Sequence, residues 1–216
     1  SNACLTRTHA LVSVAFSTKD RLLNCAEQLF AEHGFASTSL RQLTALADVN
    51  IAAVNYHFGS KDNLINEVFR RRLDDLSQRR MRALQEALSA SSVSLEQVLA
   101  AFIQPALEIS IEHEGGSAFV RVLARAYAEK NERLRQFLSD NYGHVLREFA
   151  RAIHTCVPQL ERQELYWRLD FIAGSLTYAM ADFGLIRRQA NVSEQDHCRL
   201  TAEKLLRFAV AGLTTP

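Results

Sequence analysis

The stretch from Ala47 to Lys61, ADVNIAAVNYHFGSK, limits the fold of this chain more than any other. It predicts a tight turn at Asp48 and Val49, a short helix through Asn50 to Phe58, a break at Gly59 and a new helix opened by Ser60. Val49, Val54 and Phe58 recur at helical spacing, the apolar edge of a helix lying on a core. The opposite edge carries Asn50, Ile51, Ala53, Asn55 and Tyr56. Amides and small side chains on an exposed helix suit the major groove, where Asn pairs with adenine and an apolar group meets a thymine methyl. Tyr56 and Lys61 fall where phosphate contacts are expected. Lys61 stands in the first turn of the next helix, where the macrodipole disfavours a cation, so helix stability does not explain it.

The residues upstream position that stretch. Ser17 with Asp20 makes a capping box, Leu22, Leu23, Ala26, Leu29, Phe30 and His33 follow at helical spacing, and Gly34 ends the first helix. A lone helix of this length is marginal in water, so its stripe must be covered by the next two. Thr38 or Ser39 caps the second helix with Gln42 reaching back, while Leu40, Leu43 and Ala47 point inward. Both hydroxyls could also meet a phosphate at the helix amino terminus. Capping alone explains them equally well.

Phe30, Gly34 and Phe35, then Thr38 to Leu40, then Tyr56, His57, Phe58, Ser60, Lys61 and Leu64 together resemble the amino-terminal domain of TetR-family transcriptional regulators. The core N-Y-H-F-x-S-K with the upstream L-F-A-E-H-G-F carries the resemblance, which covers about residues 17–65. It implies DNA-contacting roles for Thr38, Ser39, Asn50, Ile51, Ala53, Asn55, Tyr56, His57 and Lys61. Asp48 departs from the pattern, since the family usually has Gly in this turn. Asp tolerates left-handed geometry better than most residues, so the turn is expected to persist. The chain is then expected to divide into a leading segment 1–16, whose Ser1, Asn2 and Ala3 look like an expression scar, a helix-turn-helix domain 17–63 and a helical ligand-binding and dimerisation domain 64–216.

With only Gly 8 and Pro 3 in 216 residues and long apolar periods between breakers, the chain is expected to be all-α, with about nine helices. Formal net charge is +1, which announces neither nucleic acid nor membrane. Residues 17–63 hold Lys19, Arg21, Arg41 and Lys61 against Asp20, Glu27, Glu32, Asp48 and Asp62, four cations against five carboxylates. The basic footprint of a nucleic-acid binder is therefore absent, and the DNA reading rests on the motif, with Arg7 upstream as a further cation. Cys4, Cys25, Cys156 and Cys198 are scattered, as in a reducing cytoplasm, and no segment approaches the roughly 20 apolar residues of a membrane span. No signal-peptide cleavage pattern follows the run Ala10 to Phe16.

Helix four is expected to run from Ser60 toward Leu88. Its arginines read as a solvated face in which Arg70 pairs with Asp74 and Arg71 with Asp75. Helix five, about Leu95 to His113, contains Pro105, which should kink it. Glu114 to Gly116 form a break before helix six, and helix seven stops at Pro158. Helix eight, about Arg162 to Gln189, and helix nine, about Ser193 to Leu213, are rich in small residues. That composition suits a homodimer contact or tight packing within one chain.

No G-x-S-x-G, P-loop, G-x-G-x-x-G or H-E-x-x-H motif is present, and the histidines are dispersed. No enzymatic activity, cofactor or metal is expected. A helical adaptor binding only protein would account for the long helices but not for NYHFGSK. The resemblance implies a homodimer on a double-stranded DNA operator, released by a small hydrophobic effector; the pocket is expected among helices five to eight, lined by Phe102, Leu107, Phe119, Leu123, Tyr127, Tyr142, Trp167 and Phe171. The runs F-V-R-V-L-A-R-A, L-R-Q-F-L-S-D-N-Y-G-H-V and E-L-Y-W-R-L-D-F-I-A-G resemble a subgroup that represses fatty-acid degradation genes and answers to fatty acids or their coenzyme A esters. Aromatic or drug-like effectors are the alternative. Arg121 or Arg125 could meet an acidic head group, although Arg125 could equally pair with Glu129.

Overall fold

The computed structural model describes residues 16–112, 116–181 and 188–215, so residues 1–15 with Arg7, residues 113–115, which hold Glu114 and Gly115 of the expected break, and residues 182–187 and 216 lie outside the described residues, while Gly116 opens a helix. The described residues form nine helices and no strand: α1 (Thr18–His33), α2 (Leu40–Ala47), α3 (Ile51–Phe58), α4 (Lys61–Leu88), α5 (Leu95–Glu112), α6 (Gly116–Ala128), α7 (Glu132–Cys156), α8 (Arg162–Met180) and α9 (Glu194–Thr214). Helix eight is shorter than expected: Ala181 caps it, and Arg188 and Gln189 are not helical.

The starts of these helices follow from local chemistry. Ser17, Ser39, Asn50, Ser60, Asn131 and Ser193 each accept a hydrogen bond from a backbone N–H of the turn that follows. Ser39 and Gln42 form a reciprocal capping box. Pro105 lies inside α5 without ending it.

Two apolar clusters make the core. One is the three-helix unit, with Leu22, Phe30, Leu43, Val54 and Phe58 closed over by Leu64, Ile65 and Phe69 from α4. It also takes in Phe119 and Val122 of α6 and Leu134 of α7, so packing runs straight through the sequence boundary at 63/64. The other is centred on α5, which packs against α4 and α9 and touches α6, α7 and α8.

Helix α4 belongs to both clusters, and its arginines are spent mostly on structure. The pairs differ from those expected from i,i+4 spacing alone, because partners on other helices are reachable. Arg70 pairs with Glu67, Arg71 donates to Asn24 on α1, and Arg79 bridges Asp75 and Glu112. Arg72 grips Glu27 through two hydrogen bonds of 2.9 and 3.2 Å, with both side chains largely withdrawn from solvent.

Candidate nucleic-acid interface

The tight turn between α2 and α3 is built on Asp48, which adopts the left-handed conformation at φ 51° and ψ 54°. Its N–H is directed at the carbonyls of Thr44 and Ala45, and the Val49 N–H donates to the Thr44 carbonyl at 3.1 Å. Asp therefore does here what Gly would do at no steric cost. At the other end of α3, Gly59 sits at φ 73°, and the Asn63 amide donates to the Phe58 carbonyl at 2.9 Å. The short helix is thus clamped at both ends, with Val54 and Phe58 buried beneath it.

Its outer face presents Ile51, Ala52, Asn55 and Tyr56, the last with 86% of its surface exposed. His57 is half-buried and lies edge-on to Tyr56, with ring centroids 5.0 Å apart. Lys61 opens α4 and has no ion-pair partner among the described residues. Ser39 is exposed at the start of α2, its hydroxyl shared with Gln42.

Three expected contact residues are placed differently. Thr38 is buried, 3% exposed, and its hydroxyl donates to the carbonyls of Gly34 and Leu29 at 2.8 and 3.3 Å, so it locks the α1–α2 turn and cannot reach a phosphate. Ala53 is turned partly into the core, and Ala52, one turn before Tyr56, takes the outward position. Asn50 is the N-cap: its Oδ1 accepts the Ala52 N–H at 2.9 Å, leaving its amide N–H groups for an outside acceptor. Arg41, exposed in the first turn of α2, is a cation that the motif did not point to. The i,i+4 relation to Tyr56 identifies Ala52 from sequence, whereas nothing local distinguishes Arg41.

Part of the negative charge of this unit is answered from outside it. Glu27 is held by Arg72, and Asp62 pairs with Arg133 of α7. The end of α6 also grips the unit directly. The Glu129 carboxylate accepts the Phe35 and Ala36 backbone N–H groups at 2.9 and 3.2 Å, and Arg125 donates to the Glu32 carbonyl at 3.1 Å. Arg125 is therefore tied to α1, neither paired with Glu129 nor at a pocket mouth.

The eight residues expected around an effector are not brought into one cavity. Phe102 and Leu107 lie in the α5-centred core and Phe119 in the core under the helix-turn-helix unit. Tyr142 donates to Asp74 at 2.7 Å, and burial together with that bond raises its pKa well above the usual phenol value. Trp167 and Phe171, 56% and 63% exposed, face outward from α8 because the inner stripe of that helix is taken by Leu165, Leu169, Ile172 and Leu176. Among the described residues, Leu123 and Tyr127 line one hollow together, a groove of about 630 Å³ between α6, α7 and α8 whose other walls are apolar (Ala126, Leu134, Leu138, Ala173) and charged (Lys130, Arg135, Asp170).

The outward face of α8 and α9 carries Trp167, Phe171, Tyr178 and Phe208. Gly174 and Gly212 do not serve tight packing within the chain, because a Cβ added at either would meet nothing.

A tight turn joining two short helices, the second displayed above a three-helix core, defines a helix-turn-helix DNA-binding module. Residues 22–68 match the model of bacterial regulatory proteins of the tetR family, and residues 100–212, just over half of the chain, match that of the tetracyclin repressor-like C-terminal domain. The chain belongs to the TetR family of regulators, whose members are DNA-binding proteins rather than enzymes. The transcriptional repressor KstR2 of Rhodococcus jostii (strain RHA1) is 36% identical over 58 residues, 27% of this chain and 28% of that one. The transcriptional repressor Rv3405c of Mycobacterium tuberculosis is 39% identical over 72 residues, 33% of this chain and 36% of that one. The chain thus matches about a quarter to a third of the length of its curated relatives. The fold matches the ketosteroid transcriptional regulator KstR2 of Mycobacterium tuberculosis at a TM-score of 0.64 and 18% identity, over 93% of this chain and 96% of that one. It matches Mycobacterium smegmatis AmtR at 0.62 and 16%, over 94% and 90%. Among the described residues no helix is long and apolar enough to cross a membrane, and no group of metal-ligating side chains is present.

Proposed function

We propose that the chain is an operator-binding repressor, released from DNA by a small hydrophobic effector and acting as a homodimer. The observation that carries this reading is the outer face of α3, where Ile51, Ala52, Asn55 and Tyr56 stand clear of the protein between the exposed start of α2 and Lys61. Ile51, Ala52 and Asn55 read bases, with Asn50 and His57 at the edge of that face. Tyr56, Lys61, Ser39 and Arg41 hold phosphates. One α3 spans only a few base pairs, so a second copy must supply the other half-site a helical turn or a multiple away. The aromatic face of α8 and α9, open at Gly174 and Gly212, supports the dimer contact.

The groove between α6, α7 and α8 supports a hydrophobic effector, and its size lies within the range of small-molecule sites. A fatty acid or its coenzyme A ester is the preferred class, with aromatic compounds second. The test is a gel shift on the DNA flanking the protein's own gene. Lys61→Ala and Tyr56→Ala should each weaken binding about tenfold, and Lys61→Ala alone should also flatten its dependence on salt, since only the lysine neutralises a phosphate. Retention of full affinity by both variants would remove α3 and the α4 start from the interface.

A further inference from the structure

The end of α7 and the start of α8 enclose a small cleft of about 120 Å³ that shares no residue with the groove between α6, α7 and α8. Arg147, Arg151 and His154 line it from one face of α7, at i, i+4 and i+7, and Arg162 and Tyr166 line it from α8. Ala150 and Leu165 complete its walls. Local helix chemistry does not explain these cations. Two arginines at i,i+4 repel one another on a helix. Arg162 stands in the first turn of α8, where the macrodipole disfavours positive charge.

The acids nearest in sequence are already committed. Glu148 takes two bonds of 2.7 Å from Arg151, and the Glu161 carboxylate accepts the Gln163 and Glu164 N–H groups at 2.8 and 3.2 Å. Glu164 pairs with Arg168 at 2.7 Å. Arg147 and Arg162 are exposed and have no carboxylate partner among the described residues. The Arg147 guanidinium rests over Gly143, free to turn onto a ligand. His154 Nδ1 is sealed from solvent and meets no partner among the described residues. A buried N–H without an acceptor is rarely tolerated, so the ring carries its proton on Nε2, and the nitrogen still open is a donor. Every polar group on the walls therefore donates, and Tyr166 alone can also accept.

We propose that this cleft binds a phosphate group, free or at the end of a phosphate monoester. Walls made of donors call for a ligand that only accepts, and three guanidinium groups call for an anion. Small-molecule sites run to about 300–1,000 Å³, so a cleft of about 120 Å³ holds one compact group and not a whole effector. Donors reaching in from two helices surround a tetrahedral anion better than a flat carboxylate. The cleft lies about 20–30 Å along α7 from Arg133, which pairs with Asp62 at the start of α4, so it is no extension of the operator contacts. A bound phosphate ties the end of α7 to the start of α8.

The test is calorimetric titration of the full chain with inorganic phosphate, ribose 5-phosphate and acetate at constant ionic strength, with thermal unfolding in parallel. Phosphate should bind saturably and raise the unfolding temperature, and acetate should do neither. Arg147→Gln combined with Arg162→Gln replaces two exposed, unpaired side chains and should weaken phosphate binding at least tenfold, the range of a lost charge-assisted hydrogen bond. Tyr166→Phe removes one hydroxyl and should weaken it about threefold, which keeps the test decisive if the double variant misfolds. Lys61→Ala should bind phosphate as the native protein does. Tighter binding of ribose 5-phosphate than of phosphate makes the ligand a monoester, and the reverse order makes it the free anion. No saturable binding by the native protein, or acetate as effective as phosphate, overturns the proposal. So does native affinity in both cleft variants, or binding that is lost in Lys61→Ala and therefore belongs to the DNA-facing surface.

Discussion

The grip of α6 on the α1–α2 turn should be measurable as a coupling between Glu129 and Gly34. Glu129 accepts two backbone N–H groups, from Phe35 and Ala36, at the point where the helix-turn-helix unit begins its second helix. Hydrogen bonds to a charged acceptor contribute about 1.5–3 kcal/mol each when sheltered. Glu129 is exposed, so the pair together should contribute only about 1–2 kcal/mol. Glu129→Ala should therefore lower the unfolding temperature by about 2–8 °C in a chain of this length. Glu129→Gln, keeping one acceptor oxygen, should fall between.

Gly34 supplies the second arm. Its backbone, at φ 82° and ψ 173°, lies in a region essentially confined to glycine, and a Cβ there would stand 2.2 Å from the Glu129 Oε1. Gly34→Ala should thus cost about 1–3 kcal/mol in backbone strain and also push the carboxylate off the two N–H groups. Because the grip is lost only once, the double variant should resemble Gly34→Ala alone, leaving the two changes non-additive by about 1–2 kcal/mol. Urea unfolding of the four proteins provides the cycle. Strict additivity would show that a Cβ at position 34 leaves the carboxylate in place, and a Glu129→Ala variant as stable as native would show that Glu129 does not hold the turn in solution. Operator affinity measured on the same proteins should drop with stability, since Thr38 and the start of α2 are fixed through that turn.

Two further outcomes follow from the packing. Glu27→Gln leaves the Arg72 cation withdrawn and half-answered, so urea unfolding should show a loss of about 3–5 kcal/mol, and replacing both residues by Leu should restore most of it. Phe171→Glu places a charge at the centre of the outward face of α8, so sedimentation should find monomers, while the helical content stays native because the side chain is exposed within the chain.

What could be read from sequence tracks how local the cause is. Helix starts, the left-handed Asp48 and the stops at Gly34 and Gly59 depend on residues within four positions of one another, and they appear where the sequence places them. The face of α3 was legible only to within one residue. Helical spacing puts Ala53 outward where the structure exposes Ala52, because the buried side is set by how Val54 and Phe58 meet α1 and α4. Thr38 and Ser39 looked alike, and the choice between them was made by carbonyls at Leu29 and Gly34 that only the folded turn brings near.

Non-local pairing was illegible for the same reason. An arginine on a helix has several carboxylates in reach along the sequence, but Arg72 and Arg79 select Glu27 and Glu112 from other helices. The aromatic residues of α6 to α8 share one composition, yet Phe119 joins the core while Trp167 and Phe171 face out, a division made by which stripe of α8 the α5-centred core claims. Arg80 is indistinct in sequence on the same grounds. In sequence it is one of six arginines on α4, and only its turn inward to the Phe102 carbonyl, with no carboxylate partner among the described residues, sets it apart. A charge left unanswered by the fold is thus the kind of feature that sequence hides, since the pattern records which charges are present but not which have been paired.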